Sequence, residues 1–450
     1  MQSITAKEAA ELVREGNLLS PGERLKKQKE RLTLLVNYVR EHSPFLKELY
    51  RDLPEDFSLS DLPVTTKEMM LSSYDEWVTD RELTLSGVRK YLARDEADTS
   101  LLLGKYTALQ TSGSTGNPLP MVRDSCHNLI HGAMMTNRLA ENVDMEIFDL
   151  SKHKRACVIH VSPSASSYGA YLRTRKANPD HAHNIMAVDV AESIEEITAK
   201  LNEFQPEALT GYPPSLVLLA EEKAKGNLNI PLKIILSSAE LLTSEAYERI
   251  TSVFGCPILN NYCMTEGGEI AMTRGCSHLH INEDFVIVEP VDENRNVITD
   301  SSEYSNGILV TDLTNYVQPV IRYYVSDSVR IIKNIQGCND LPVLDIRGRT
   351  WDSYTIGGRT FTTKGLEVEA KFIEGLCQYQ FIQTGENSME VRGVTAAGAD
   401  PEEILRSFAE REKTYFEGAG CPDVTVTWSS KPLIHNKNGG KVPMFIKAYK

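Results

Sequence analysis

Thr111-Ser112-Gly113-Ser114-Thr115-Gly116-Asn117-Pro118 packs hydroxyls and glycines into one short turn, here called the hydroxyl loop, after the apolar-leaning segment 106–110. Glycines let backbone N–H groups come close to an anion, and the Ser and Thr hydroxyls add further donors to the same concavity. The spacing differs from a Walker motif, so a P-loop fold is not supported. The loop therefore predicts a grip on a polyphosphate, with a flexible Ser/Gly connection as the alternative.

The composition is that of an ordinary globular chain. It has 450 residues, 41% hydrophobic and 24% charged, and because single cores stop growing near roughly 250 to 300 residues we expect two or three units. The net charge of −14 argues against nucleic-acid binding. No apolar run approaches the roughly 20 residues that cross a bilayer, and no signal-peptide pattern opens the chain. With eight scattered cysteines, we expect a cytoplasmic protein with reduced thiols and no membrane partner.

The order of apolar patterns indicates an α/β fold. Residues 5–50 have the period of amphipathic helices. Between about 107 and 335, short β-rich runs alternate with helical ones; 155–161 and 233–237 are predicted strands, and 194–204 and 214–225 predicted helices. Such alternation favours an α/β architecture. A smaller mixed unit follows, so we predict domains over residues 1–348 and 349–450.

Four further segments carry side chains suited to ligand binding. Segment 260–268 follows the strand-like run 257–259, and an exposed strand end is where α/β sheets bind ligands. In segment 322–327, Asp327 follows an apolar run and is suited to accept hydrogen bonds from two vicinal hydroxyls. Segment 347–352 is a basic turn at the predicted boundary, and segment 436–441 is a glycine-rich loop with a cation, Lys441.

In this order, the hydroxyl loop and these segments resemble the adenylate-forming superfamily of acyl- and aryl-CoA synthetases, adenylation domains and luciferases. The branch resembles phenylacetate-CoA ligase, because of Gly211-Tyr212-Pro213-Pro214-Ser215, Ser238-Ala239-Glu240 and Cys276 ahead of Glu283-Asp284. The resemblance implies a large N-terminal domain of β-sheets and flanking helices, and a small mobile α+β C-terminal domain. It places the active site between them.

The resemblance also assigns roles to residues. The grip on the β- and γ-phosphates of ATP would come from Thr111, Ser112, Gly113, Ser114, Thr115 and Gly116. Adenine and ribose would contact Ser238, Ala239, Glu240, Asn261, Tyr262, Asp327 and Arg349. Glu266 would ligate Mg²⁺, a hard cation suited to carboxylates and phosphate oxygens. Thr265 would touch the α-phosphate, and Lys441 would stabilise the charge that develops there during in-line attack.

The implied reaction is adenylation of a carboxylic acid, with release of pyrophosphate and then transfer of the acyl group to a thiol. The acceptor is coenzyme A, the phosphopantetheine of a carrier protein, or an amine; the sequence does not choose among them. A homodimer is also left open. Trp351 replaces the family's acidic hinge residue and Cys263 the glycine after the tyrosine. A non-catalytic nucleotide-binding protein on the same fold is therefore an alternative.

Two further expectations concern the acid and a second metal. By analogy, segment 160–169 lines the acyl pocket, and Tyr168, Gly169 and Met264 would contact a compact aryl or arylacetic acid, unless Tyr168 only packs the core. Some relatives in the branch carry a structural metal, and zinc suits thiolate and imidazole ligands. The candidates are Cys256, Cys276, His278, His280 and Cys338, with Cys276, His280 and Cys338 as the preferred trio. Dispersed cysteines that pack as small apolar residues are the alternative.

Overall fold

The fold was analysed in a computed structural model. It describes residues 4–94, 100–111, 119–139, 141, 143–161, 165–190, 192, 194–300, 302–333, 335, 338, 340–349, 353–362, 366, 370, 373–396, 398–435 and 442–449. Side chains at 348, 349, 353 and 360–362 are outside this description.

Helices form where apolar residues recur on one face and a capping side chain precedes the first turn. Thr5 and Glu8 form a reciprocal capping box before α1, and the Asp124 side chain accepts from the backbone N–H of His127 at the start of α7. The helices are α1 Ala6–Leu18, α2 Pro21–His42, α3 Pro44–Leu49, α4 Lys67–Ser72, α5 Tyr74–Trp77, α6 Leu85–Leu92, α7 Ser125–Met134, α8 Ser166–Ala177, α9 Ile194–Phe204, α10 Pro213–Ala224, α11 Ser244–Phe254 and α12 Pro401–Gly418. None of these described helices has the length and apolar character needed to cross a membrane.

The strands are short, and most carry buried apolar residues. They are β1 Thr107–Gln110, β2 Pro120–Arg123, β3 Arg155–Ile159, β4 Ile185–Asp189, β5 Ala208–Gly211, β6 Ile234–Ser238, β7 Ile258–Met264, β8 Gly268–Thr273, β9 Leu279–Ile281, β10 Val286–Val291, β11 Gly307–Asp312, β12 Tyr323–Val325, β13 Asp327–Ile332, β14 Val343–Arg349, β15 Ser353–Ile356, β16 Arg359–Thr362, β17 Leu376–Gly385, β18 Ser388–Thr395, β19 Thr425–Trp428 and β20 Phe445–Lys447.

A nine-stranded sheet in the order β13-β14-β9-β8-β7-β6-β5-β3-β4 organises the chain. The neighbouring strands β4, β3, β5, β6 and β7 pair parallel and form one half of the sheet. In the other half, the strands β7, β8, β9, β14 and β13 pair antiparallel. Because parallel strands are joined by crossover helices, β3, β5, β6 and β7 all end at the same edge. Ligands of open α/β sheets bind outside this edge.

Helices cover both faces of the parallel half, which explains why its strands are nearly continuous apolar runs. On one face, Ile235 and Ile258 pack with α10 and α11 residues such as Leu216 and Ile250. On the other face, Leu236 and Leu259 pack with α1 and α7 residues, including Val13 and Ile130. Successive strand residues therefore face different helix layers.

The chain after β14 builds separate sheets, β15-β16 and β19-β18-β17-β20, and α12 packs on the latter through Phe408 and Phe416. Cys377 of β17 reaches the apolar cluster of α10 and α11, and its thiol donates to Glu221 at 3.7 Å. The predicted α/β class is confirmed, whereas the domain limits at 348 and 349 stay predictions.

The predicted elements lie close to the observed ones. Predicted helix 194–204 coincides with α9, and predicted 214–225 with α10 to within one residue at each end. Predicted strands 155–161 and 233–237 correspond to β3 and β6. The prediction that a strand ends at residue 259 was wrong, because β7 continues to Met264. Asn260 and Asn261 are poor strand formers, yet pairing with β6 and β8 keeps them extended.

Candidate active site

A cavity of about 1860 Å³ opens at the carboxyl edge of the parallel strands, where β3, β5, β6 and β7 end. Residues of the C-terminal sheet, including Leu376 and Phe445, also line it. Ten of the residues singled out from the sequence line it: Thr111, Ser238, Ala239, Glu240, Asn261, Tyr262, Met264, Thr265, Glu266 and Asp327. They come from four separate segments of the chain, and the fold brings them together at one edge.

Tyr262 and Asp327 form the nucleoside side of the predicted site. The Tyr262 hydroxyl donates to Asp327 Oδ2 at 2.5 Å, so ring and carboxylate share one wall. Asp327 opens β13 and is the register partner of Arg349 on β14. Because directly paired residues of antiparallel strands are neighbours, residues 327 and 349 lie next to each other. The roles of both residues in ribose binding stay predictions.

The turn between β7 and β8 carries Thr265 and Glu266, and an arginine holds its backbone. Arg123 Nη2 donates to the carbonyl oxygens of Thr265 at 2.8 Å and Met264 at 3.3 Å. The Tyr323 hydroxyl donates to Glu266 Oε1 at 3.2 Å. These bonds fix the direction in which the turn presents its hydroxyl and carboxylate to the cavity.

Ser238, Ala239 and Glu240 follow the end of β6. Ala239 has φ +72°, a left-handed conformation that is unfavourable for a residue with a Cβ, as is found at ligand-binding turns. The Ser238 hydroxyl lies 3.3 Å from the Cys263 thiol. Cys263 thus contacts a neighbouring predicted nucleotide-binding residue across adjoining strands.

Several sequence predictions concern residues outside the described part. Thr111 N–H donates to the Leu119 carbonyl and Leu119 N–H to Thr111 Oγ1, so the two ends of the hydroxyl loop meet. Ser112, Gly113, Ser114, Thr115, Gly116 and Lys441 lie outside the described residues. Their phosphate-binding and catalytic roles stay predictions.

Tyr168 and Gly169 occupy the first turns of α8. The Tyr168 ring stacks on Tyr171 with centroids 5.6 Å apart and packs against the core. Among described residues, the cavity wall at this helix is formed by their neighbours Ser166, Ser167, Ala170, Tyr171 and Thr174. Contact of Tyr168 and Gly169 with substrate stays a prediction.

Sequence reasoning missed a partly buried carboxylate in the cavity wall. Glu269 of β8 lines the cavity and forms a short ion-pair contact with His131 Nδ1 of α7. Burial alone would raise the pKa of Glu269, but His131, with a smaller contribution from Arg123, outweighs it and lowers the pKa to about 2. Glu269 is therefore ionised at neutral pH. No motif marked it, because its partner is 138 residues away.

The close approach of the His131 ring to the backbone of residue 268 explains why a glycine stands at this position. This glycine has φ +68°, and a Cβ added there would lie 2.2 Å from His131 Cε1. A side chain at residue 268 would therefore push the imidazole away from Glu269.

A buried hydrogen-bond network lies behind His131. Thr314 Oγ1 lies 3.0 Å from His131 Nε2, 2.8 Å from His127 Nδ1 and 2.6 Å from Asp312 Oδ1. Burial, with the neighbouring His131, lowers the pKa of His127 to about 3. The network is buried and holds the His131 ring from the side opposite Glu269.

Four of the five candidate zinc ligands gather in space. Cys276 Sγ lies 3.1 Å from His280 Nε2 and 3.6 Å from His278 Nδ1, and Cys338 Sγ lies 3.6 Å from His278 Nδ1. Ligand atoms at roughly 2.0 to 2.3 Å from a tetrahedral ion are separated by such distances. The fifth candidate, Cys256, is instead buried in the apolar cluster of α10 and α11. Among the described residues, the group whose ligand atoms all lie within 4.8 Å of one another is Cys276, His278 and Cys338, so His278 takes the place that the sequence prediction gave to His280.

Comparisons with known proteins bear on the fold. No family model matches the chain. A search of curated proteins found Protein CapK of Staphylococcus aureus, 25% identical over 232 residues, which is half of each chain. The chain therefore aligns with about half the length of this curated relative.

Solved structures match nearly the whole chain. 2-Hydroxyisobutyryl-CoA ligase in the post-adenylation state, in complex with R3-HIB-AMP, is 18% identical, with 95% of this chain and 90% of that chain covered and a TM-score of 0.65. In its thioesterification state, with 2-HIB-AMP and CoA, the same ligase covers the same shares with a TM-score of 0.57. An anthranilate CoA ligase in complex with anthranoyl-AMP is 14% identical, with 74% and 64% covered and a TM-score of 0.50.

These likenesses confirm the fold implied by the sequence resemblance. At these identities they establish architecture and leave chemistry open. The described chain has the fold of the acyl- and aryl-CoA ligases of the adenylate-forming superfamily.

Proposed function

We propose that this protein is an AMP-forming acid–thiol ligase. It activates a carboxylic acid with ATP to an acyl-adenylate, releases pyrophosphate, and transfers the acyl group to a thiol such as coenzyme A. The observation that carries the proposal is the convergence of the predicted hydroxyl, aromatic and carboxylate residues on one cavity at the carboxyl edge of the sheet.

The cavity wall fits the electrostatics of this reaction. Asp327 and Tyr262 supply a carboxylate and a ring for ribose and adenine. Glu266 would hold Mg²⁺, since Mg²⁺ binds one or two carboxylates together with phosphate oxygens, and the ion would neutralise charge on the triphosphate. Thr265 would donate to the α-phosphate from the turn that Arg123 fixes. Lys441 would stabilise the negative charge that develops during attack.

The thiol step requires a change at the C-terminal sheet. We infer that this unit rotates after adenylation, because it lines the cavity in the described arrangement, and the chain aligns with the post-adenylation ligase at a TM-score of 0.65 and with the thioesterification state at 0.57. A compact aryl or arylacetic acid is the proposed substrate class.

ATP–pyrophosphate exchange with a panel of carboxylic acids tests the proposal. Exchange with at least one aryl or arylacetic acid, followed by acid- and thiol-dependent AMP release, is expected. Binding of ATP without exchange for any acid would refute catalysis and favour a non-catalytic nucleotide-binding protein.

The cysteine–histidine cluster suggests a separate structural metal. We propose that Cys276, His278 and Cys338 bind one Zn²⁺, because the ligand atoms of these three residues all lie within 4.8 Å of one another, and that His280, 3.1 Å from Cys276 Sγ, is the nearby candidate for a fourth ligand. Protein purified without chelator should contain about one zinc per chain, and Cys276→Ser/Cys338→Ser should contain none. A metal-free wild-type protein that keeps its melting temperature when zinc is added would refute the site.

A further inference from the structure

We propose that the cavity contains a subsite, formed by Glu269 and Asn261, for a hydroxyl or amino group on the body of the acid substrate. This deepens the proposed function and rests on it. The acid would be activated at its carboxylate beside Thr265 and recognised by a hydrogen-bond donor elsewhere on the same molecule.

A β-bulge brings the two residues to one face. On β7 and β8, Tyr262 pairs with Ala271 but Cys263 pairs with Glu269, so Ile270 has no partner in the register. Because directly opposed residues share a face, Glu269 lies on the face of Cys263 and Asn261. Without the bulge, strict alternation would place Glu269 with Ala271 on the other face. Bulges beside active sites re-aim side chains in this way.

Both residues line the cavity, and each has a side-chain oxygen that can accept a hydrogen bond. The ionised Glu269 carboxylate accepts hydrogen bonds and donates none. Its Oε1 is paired with no residue in the described part of the chain. The Asn261 side chain is buried, donates through Nδ2 to Met135 Sδ at 3.5 Å, and leaves Oδ1 without a described partner. An unpaired buried acceptor costs free energy, which a donor on a ligand would recover.

The protein holds Glu269 in place before any ligand binds. His131 Nδ1 contacts Oε2, and Thr314 braces the opposite ring nitrogen from the buried network. The carboxylate is thus preorganised, which reduces the entropic cost of recognising a donor. Met135 and Leu139 form neighbouring apolar wall, so the subsite sits at the edge of a surface suited to an apolar substrate body.

The subsite also lies within reach of the reacting centre. Asn261 and Cys263 belong to the same strand as Met264, and the turn bearing Thr265 follows directly. The opposite face of the strand presents Tyr262 to Asp327. One hairpin thereby places Tyr262 on the nucleotide side and Glu269 on the side of the acid. Asn261, for which the sequence resemblance implied a nucleotide contact, is assigned by this proposal to the acid side instead.

Matched acids test the subsite. Exchange kinetics would be measured with benzoate and its hydroxy and amino derivatives at each ring position, and with phenylacetate and its 4-hydroxy and 4-amino derivatives. We expect at least one donor-bearing acid to exceed its parent in kcat/KM by about 10²-fold or more, because sites built for a hydrogen bond reject analogues that lack it. Equal use of all donor acids and their parents by the wild type would overturn the subsite while leaving the proposed function intact.

Variants locate the preference at Glu269. Glu269→Leu should abolish or reverse it, and Glu269→Gln should reduce it. Glu293→Gln, a change at an exposed residue between β10 and β11 that does not line the cavity, should preserve it. An unchanged preference in folded Glu269→Leu would overturn the assignment.

A wild-type measurement keeps the test valid if Glu269→Leu does not fold. Titration of the preferred donor acid and its parent in the presence of a non-hydrolysable ATP analogue should show tighter binding of the donor acid. Equal affinities would overturn the subsite. Absence of exchange with every acid would instead refute the proposed function on which it rests.

Discussion

Removal of the Asp327 carboxylate should weaken ATP binding by a predictable amount. Asp327 faces the cavity and is proposed to accept from both ribose hydroxyls. Two net hydrogen bonds at about 1 to 1.5 kcal/mol each sum to about 2 to 3 kcal/mol. Since about 1.4 kcal/mol corresponds to a factor of ten, the Kd for ATP should rise about 30- to 150-fold in Asp327→Ala.

Tyr262→Phe provides the matched control. Asp327 Oδ2 also accepts from the Tyr262 hydroxyl, so Asp327→Ala removes an internal bond as well as the proposed ribose contacts. Phenylalanine keeps the ring for adenine and removes the hydroxyl that donates to Asp327, and the Kd for ATP of this variant should stay within about threefold of wild type. Isothermal titration of ATP needs no knowledge of the acid. An unchanged Kd in folded Asp327→Ala, or equal losses in both variants, would refute the ribose assignment.

Four further outcomes are expected. Lys441→Ala should lower kcat for ATP–pyrophosphate exchange by about 10²-fold or more while ATP affinity is nearly kept, because the cation acts on developing charge; retained exchange would remove Lys441 from catalysis. Glu266→Gln should lose exchange that higher Mg²⁺ partly restores, since an amide is a poorer hard ligand, and a loss independent of Mg²⁺ would contradict metal binding. Arg322 Nε and Nη2 donate to the buried Glu289 carboxylate at 3.0 and 3.1 Å, so Arg322→Met should leave this carboxylate without its cation and lower the free energy of unfolding by about 3 to 5 kcal/mol. In a denaturant titration, the double variant Arg322→Met/Glu289→Gln should regain part of this free energy. No regain would mean that loss of the ion pair is not the cause. In the folded protein the pKa of Glu269 is about 2, below its ordinary 4.5, so the contribution of its ionised form to stability is complete above about pH 4.5 and is lost as the pH falls towards 2. The melting temperature of Glu269→Gln should therefore fall less steeply than that of the wild type between about pH 4.5 and 2. The same fall in both proteins would contradict the contact with His131.

Local sequence patterns predicted the parallel half of the main sheet well. β3 and β6 are continuous apolar runs because helices bury both faces, and α9 has a regular apolar period. The cavity residues could be found because several stand in short segments that resemble a known family. The end of β7 was misplaced because its asparagines disfavour a strand in isolation, and pairing on both sides overrides this preference.

Glu269 could not be found in the same way. The direction of its side chain depends on a bulge at Ile270. Strict alternation along β8 would predict the wrong face for Glu269. Its ionisation depends on His131, which folding brings from another element. Both are tertiary effects, and neither leaves a local signal in one sequence.

The alternation of side chains along β7 has a consequence for the evolution of substrate specificity. Tyr262 serves the nucleotide side, and Asn261 and Cys263 point to the opposite side of the same strand. Substitutions at odd-numbered positions here can alter which acid is accepted without displacing the ring beside Asp327. New specificities can thus arise by single steps while nucleotide binding is inherited intact, and libraries that randomise residues 261, 263 and 269 together should be richer in active members than libraries that include residue 262.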